Sequence, residues 1–296
     1  MKHATPTRSL LVTAGSQTLR LESRPLVMGI LNVTPDSFSD GGAYVTVEQA
    51  LLRARQMYEE GADIIDIGAE SSRPGSQPID EAEELRRLVP VVEAVHNAVP
   101  LPISVDTTKA AVARRAIEAG AVLVNDITAL RGDPLMIGLI AQTGAAVVLM
   151  HMQGTPPTMQ KAPRYQNVTQ EVASFLSGRA ETALEHGIKR SQIILDPGFG
   201  FGKLQEHNLQ LLADLTAMAN LGYPVLVGLS RKQFIGILVQ QPVQERGYGT
   251  AGAVAVAVLK GAHIIRVHDV RSMRDTVSVV SAVCRQARSA VEVSHA

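Results

Sequence analysis

The chain has 296 residues, 46% of them hydrophobic and 19% charged, which is enough for a large core, and (β/α) barrels of about 250 residues are commonly single domains. Lys plus Arg (28) balance Asp plus Glu (28), so no basic excess drives binding to nucleic acid or an anionic membrane, and affinity for anions must rest on a few placed side chains. Cys284 is the only cysteine, which excludes an intramolecular disulfide and fits a reducing compartment. Residues 1–15 lack a secretory apolar core, and the longest apolar runs, such as "AGAVAVAVL" (251–259), fall well short of the ~20 residues of a membrane span. A cytoplasmic protein is expected, in which the glycosylation patterns at Asn32 and Asn167 are chance.

Residues 10–22 read as a hairpin turning at Gly15-Ser16, placed to plug the N-terminal mouth of a barrel. Short β-branched runs then recur at 26–32, 63–68, 101–106, 121–126, 145–151, 192–196, 224–230 and 263–268. They are continuously apolar, as in parallel strands buried on both faces. Helical patterns alternate with them at 46–60, 80–98, about 109–119, 134–143, 167–186, 207–221, 247–260 and 272–290. Thr46 is a candidate N-cap, and Pro90 is expected to kink or divide its helix. Gly61, Gly120, Gly144, Gly187, Gly222 and Gly261 each follow a helix and lead into a strand. The pattern predicts a single (β/α)8 TIM barrel at 26–290, preceded by a segment with a β-hairpin (1–25) and followed by a tail (291–296). An open doubly wound sheet is the alternative.

In such barrels the active site forms where strands end and the next loops begin. The strand ends here carry Asn32, Asp66, Asp106, Asn125 with Asp126, Met150 with His151, Asp196, Ser230 with Arg231 and Lys232, and Arg266 with His268. The carboxylates and amides suit a donor-rich heterocycle, because a carboxylate accepts two parallel N–H bonds. The cations suit a phosphate or carboxylate. A ligand with such a ring at one end and a phosphate at the other satisfies both. "GFGFGK" (198–203) lacks Walker spacing, with Leu204 where Ser or Thr belongs. The dinucleotide fingerprint, HExxH, zinc-type cysteine clusters and a nucleophile elbow are absent. A Schiff base at Lys232 remains open.

The stretches "GILNVTPDSFSDGG", "DIGAESSRPG", "SVDTTK", "VNDI", "LMHMQGTP", "DPGFGFGK", "GLSRK" and "RVHDV" together resemble the dihydropteroate synthases of folate biosynthesis, over about residues 26–275. The resemblance implies a transferase that condenses 6-hydroxymethyl-7,8-dihydropterin pyrophosphate with p-aminobenzoate, using Mg2+, and that is a homodimer and a sulfonamide target. It implies pterin binding by Asp106, Asn125, Met150, Asp196 and Lys232, and pyrophosphate binding by Asn32, Arg266 and His268, with Asn32 also at the metal. Ser72, Arg73, Pro74, Phe201 and Gln233 would hold p-aminobenzoate. Ser72 stands where the family commonly has Thr, and Gln233 where some members have Ser or Arg, which touches only the fine contacts of that substrate.

Catalysis would fall to Asp40, Arg73 and Lys232 without a covalent nucleophile, by dissociative displacement through a pterin cation. "VTPDSFSDGG" is expected to act as a mobile lid carrying Asp40. The rivals are a pterin-binding methyltransferase, an inactive pterin-binding paralogue, and a phosphosugar lyase that borohydride would trap at Lys232. "NVTPDSFSDGG" and "SSRPG" favour the synthase, since they supply a phosphate-and-loop apparatus.

Overall fold

The computed structural model describes residues 11–21, 24–34, 46–71 and 75–293, with side chains through Ala287. Asp40, Ser72, Arg73 and Pro74, and the segment read as a lid, lie outside the described residues. β1 (Leu11–Ala14) and β2 (Gln17–Arg20) form the expected antiparallel hairpin. The chain then alternates: β3 (Leu26–Asn32), α1 (Val47–Glu59), β4 (Ile64–Gly68), α2 (Glu81–Ala98), β5 (Ile103–Asp106), α3 (Ala110–Glu118), β6 (Leu123–Asp126), α4 (Met136–Thr143). It continues with β7 (Ala146–Met150), α5 (Val168–Glu185), β8 (Ile193–Asp196), α6 (Gln205–Ala213), α7 (Thr216–Ala219), β9 (Leu226–Val227), α8 (Gln233–Val239), α9 (Gly247–Leu259), β10 (Ile264–Val267) and α10 (Val270–Val293).

Strands β3 to β10 form one parallel sheet in the order β8-β7-β6-β5-β4-β3-β10-β9. The two outer strands meet: Leu195 bridges to Val225, and its N–H donates to the Pro224 carbonyl at 2.9 Å. The barrel is closed, and the open-sheet alternative falls. The six helix-ending glycines all take positive φ, between 71° and 114°, the left-handed conformation that lets the chain turn back toward a strand.

Period-2 alternation explains why the strand runs are apolar throughout. One set of side chains, including Val27, Val147, Ile193 and Leu195, faces the helices. The other set, Met28, Ile64, Leu123, Val148, Ile194, Leu226 and Ile264, fills the lower interior with Val12, Ala14, Leu19 and Leu21 of the hairpin segment. The hairpin therefore plugs the N-terminal mouth, and the Gly15 N–H donates to the Gly144 carbonyl at its rim.

Some helices differ from the sequence reading. α2 runs unbroken through Pro90. The expected helix at 207–221 is divided into α6 and α7. The seven-residue α8 is an addition, and α10 reaches Val293. Among the described residues no helix is long and apolar enough to cross a membrane.

Candidate active site

The inward set continues up each strand. Two residues beyond the plug-facing Leu123, Val148, Ile194, Ile64 and Ile264 stand Asn125, Met150, Asp196, Asp66 and Arg266. Asp106 lies beside Asn125 in register, and Asn32 beside Gly68. The same faces that are apolar at the bottom are thus polar at the top. There they line a cleft with Asp106, Asn125, Met150, Asp196, Phe201, Lys232 and Arg266 in its wall. Ile127, Gly198, Phe199 and Gly228 complete the lining.

Arg266 ties the floor together. Its Nε donates to Asp66 Oδ2 at 2.6 Å and its Nη2 to Asp106 Oδ2 at 2.7 Å. Asn125 Nδ2 donates to the same Asp66 oxygen at 3.2 Å. Asp66 is fully buried, and its Oδ1 has no hydrogen-bond partner among the described residues. Burial pushes the Asp106 carboxyl up to about 7; Arg266 opposes the shift and the Asp66 charge adds to it. The Arg266 guanidinium is held above its ordinary value by Asp66 and Asp106, which outweigh its burial.

On the opposite wall, Asp196 Oδ1 accepts the Gly198 N–H at 2.7 Å. Burial raises Asp196 to about 6, against the pull of that N–H and of Lys232, Arg266 and Lys203. Lys232 Nζ stands 4.3 Å from the Phe201 ring centroid, a cation–π contact. Burial and Arg266 lower Lys232 to about 8, while Asp196 and Asp106 oppose the shift. Phe199 stacks on Phe234 of α8, with centroids 6.4 Å apart. A flat ring entering this cleft meets acceptors on two sides, a lysine, a thioether and an aromatic edge.

Residues 28–268 match the model of the pterin binding enzyme family. The dihydropteroate synthase of Haemophilus influenzae is 50% identical over 257 residues, 87% of this chain and 93% of its own length. That of Escherichia coli K12 is 46% identical over 260 residues, 88% of this chain and 92% of its own length. The chain belongs to the dihydropteroate synthases. Among solved structures, the Yersinia pestis synthase in a sulfonamide complex superposes with a TM-score of 0.89 at 46% identity, covering 93% of this chain and 99% of its own. The Xanthomonas albilineans synthase in complex with 7,8-dihydropteroate gives 0.83 at 43% identity, covering 92% and 98%.

As a synthase the chain is a transferase, and the sequence reading of its cleft can be placed residue by residue. Asp106, Asn125, Met150, Asp196, Phe201, Lys232 and Arg266 converge on one cleft. Arg266, read with the pyrophosphate group, also forms the floor between Asp66 and Asp106. Asn32 ends β3, and His268 comes just after β10, the strand paired with β3. The Ser230 hydroxyl accepts the His268 N–H at 3.2 Å and lies 3.0 Å from its Nδ1, so it fixes the ring. Gln233 opens α8 on the exposed side of Lys232.

Asp126 does not join the ring. It has the outward parity, and its carboxylate accepts from the Thr128 N–H and hydroxyl and from the Leu130 N–H at 2.6–2.8 Å. That turn carries Ala129 and Leu130 at positive φ. Arg231 is likewise turned away, paired with Asp269 at 2.6 Å. The sequence reading left out Ile127, Phe199 and Gly228, which carry no ionisable group to draw attention. Strand parity was the available signal for Asp126, Arg231, Ile127 and Gly228, whereas Phe199, three residues past Asp196, lies on the other parity and enters the cleft from the loop. Among the described residues no group of three or more His, Cys, Asp or Glu is placed to hold a metal.

Proposed function

We propose that the chain joins 6-hydroxymethyl-7,8-dihydropterin pyrophosphate to p-aminobenzoate in this cleft, releasing 7,8-dihydropteroate and pyrophosphate. The observation that carries this assignment of substrates is the facing set of half-buried Asp106 and buried Asn125 and Asp196 with Lys232. The pterin's aminopyrimidinone edge is rich in N–H donors, and these side chains supply acceptors, with Lys232 left to donate to a ring carbonyl. Met150 packs on the ring face. Buried aspartates also favour positive charge on the ring, which is where a departing pyrophosphate leaves it.

The reaction is dissociative: the methylene C–O bond breaks first, pyrophosphate takes the electron pair, and the amine of p-aminobenzoate attacks the resulting cation and then loses a proton. This chain's work is positioning and charge stabilisation. Arg266, His268 and Asn32, at neighbouring strand ends, receive the pyrophosphate. Phe201 and Lys232 form one wall for p-aminobenzoate, with Gln233 beside them. Asp40, Ser72, Arg73 and Pro74 enter by resemblance alone.

A lone amide oxygen at Asn32, with no carboxylate cage around it among the described residues, fits an ion that arrives largely coordinated by phosphate and water, as Mg2+ does. Bound there, Mg2+ would neutralise charge on the leaving pyrophosphate. We also infer a homodimer through the late helices, since α8, α9 and α10 expose Ile237, Leu238, Leu259, Val279, Val283 and a 95% exposed Tyr248. The lone Cys284 suits a reducing cytoplasm.

Pyrophosphate release on mixing the protein with both substrates, with and without Mg2+, tests the reading; no release with the metal present refutes it. A secondary isotope effect near unity at the reacting methylene would refute the dissociative order. Light scattering that shows only monomer would refute the dimer.

A further inference from the structure

Lys203 closes the "DPGFGFGK" stretch but does not face the cleft. Its residue is 3% exposed, and its Nζ donates to the Gly198 carbonyl at 2.9 Å and the Phe201 carbonyl at 3.1 Å. His151 Nδ1 lies 2.9 Å away and the His151 carbonyl 3.4 Å. Burial lowers Lys203 to about 7, against the pull of Asp196; as an ammonium it has three N–H groups, and these partners use all of them. Burial, helped by Lys203, holds His151 down to about 3, so the imidazole is neutral and a ring nitrogen is available to accept.

Two more carbonyls of the loop are held from the segment after β7. Gln160 Nε2 donates to the Gly200 carbonyl at 2.6 Å, and the Tyr165 hydroxyl to the Gly202 carbonyl at 2.7 Å. The loop lies so close to that segment that a Cβ on Gly198 would stand 2.0 Å from the His151 carbonyl oxygen. Two groups of the site hang on this loop. The Gly198 N–H orients Asp196, and residue 201 carries the ring under Lys232.

We propose that Lys203 is a positioning residue of the synthase: by clasping the Gly198 and Phe201 carbonyls it sets Asp196 toward the pterin and the Phe201 ring toward p-aminobenzoate. The inference rests on the substrate assignment made above for Asp196 and Phe201. A buried ammonium bonded to backbone carbonyls is costly to remove, because truncation leaves the acceptors unpaired.

Steady-state kinetics on Phe201→Ala, Lys203→Met and the double variant test this. Lys203→Met should raise KM for p-aminobenzoate about tenfold or more, with a smaller fall in kcat. In the Phe201→Ala background it should raise that KM little further, because the ring through which it acts is gone. Lys203→Gln, which keeps two N–H donors, should recover part of the affinity.

An unchanged KM in Lys203→Met with only a lower melting temperature overturns the proposal. So does a full multiplicative effect in the double variant. Gln160→Leu removes one tether of the same loop without disturbing the buried charge, and should shift the same KM in the same direction. If Lys203→Met does not fold, an unchanged KM in Gln160→Leu overturns the proposal. If Phe201→Ala itself leaves KM unchanged, the p-aminobenzoate assignment fails separately. The clasp is then read from the dissociation constant of the dihydropterin pyrophosphate, which Lys203→Met raises if it orients Asp196 and leaves alone if it does not.

Discussion

Replacing Asp66 by Asn tests whether the floor of the cleft is an electrostatic unit. The carboxylate is fully buried and accepts Arg266 Nε at 2.6 Å and Asn125 Nδ2 at 3.2 Å on one oxygen. An Asn of the same shape can keep both contacts, but the ion pair becomes a hydrogen bond from a cation to a neutral amide oxygen, a loss of about 1–1.5 kcal/mol. Its NH2 then occupies the position of Oδ1, which has no partner among the described residues. An unpaired buried donor costs about 1–3 kcal/mol.

The expected destabilisation of Asp66→Asn is therefore about 2–4.5 kcal/mol, a fall in Tm of roughly 3–7 °C for a chain of this length. A second effect has a definite sign. The Asp66 charge helps raise Asp106 toward 7, so removing it lowers the Asp106 pKa and moves the acid limb of dihydropterin pyrophosphate binding to lower pH. Calorimetric melting and a pH series of dissociation constants measure the two. A Tm within about 2 °C of the parent, together with an unmoved acid limb, would refute the reasoning.

Asp106 and Asp196, raised from 3.8 to about 7 and about 6, hold protons in the folded state that the unfolded chain has released. Their contribution to stability is present below pH ~4 and lost as pH rises through 6 and 7, so Asp106→Asn should flatten the urea midpoint against pH between 4 and 7. Asp196→Ala should abolish dihydropterin pyrophosphate binding in a calorimetric titration; retained affinity would remove Asp196 from the pterin site. Gly198→Ala places its Cβ 2.0 Å from the His151 carbonyl oxygen at a φ of +68°, and should cost more than about 3 kcal/mol or prevent folding, read by urea unfolding or soluble yield. Leu19→Ala, in the hairpin, should lower stability by roughly 2–3 kcal/mol while both KM values stay put, since the cleft is at the other end of the barrel.

The barrel was legible because buried parallel strands are apolar on both faces and six of the helix stops carry a glycine. The convergence of Asp106, Asn125, Asp196 and Arg266 was legible because a strand end fixes where a side chain emerges. Asp126 was misplaced because adjacency in sequence hides the reversal of face between it and Asn125. α8 was passed over because its Gln233–Val239 span is too short for helical periodicity to show, and because it comes directly after the turn that holds Arg231 at a φ of 58°. The ion pairs of Arg266 could not be read, since its partners lie 200 and 160 residues away. The role of Lys203 was hidden for a different reason: its partners are backbone carbonyls, which every sequence has.

The seat of the N-terminal hairpin has a consequence for the order of assembly. It is built from Met28, Ile64, Leu123, Ala146, Val148, Ile194, Leu226 and Ile264, so it is complete only when the final strand has joined. A two-stranded hairpin alone is at best marginally stable in water. Synthesis delivers this segment before every strand of the barrel, yet its docking site is complete only with the last of them. The hairpin segment must therefore wait for a complete seat for Val12, Leu19 and Leu21 until, some 240 residues later, Ile264 arrives to close over them.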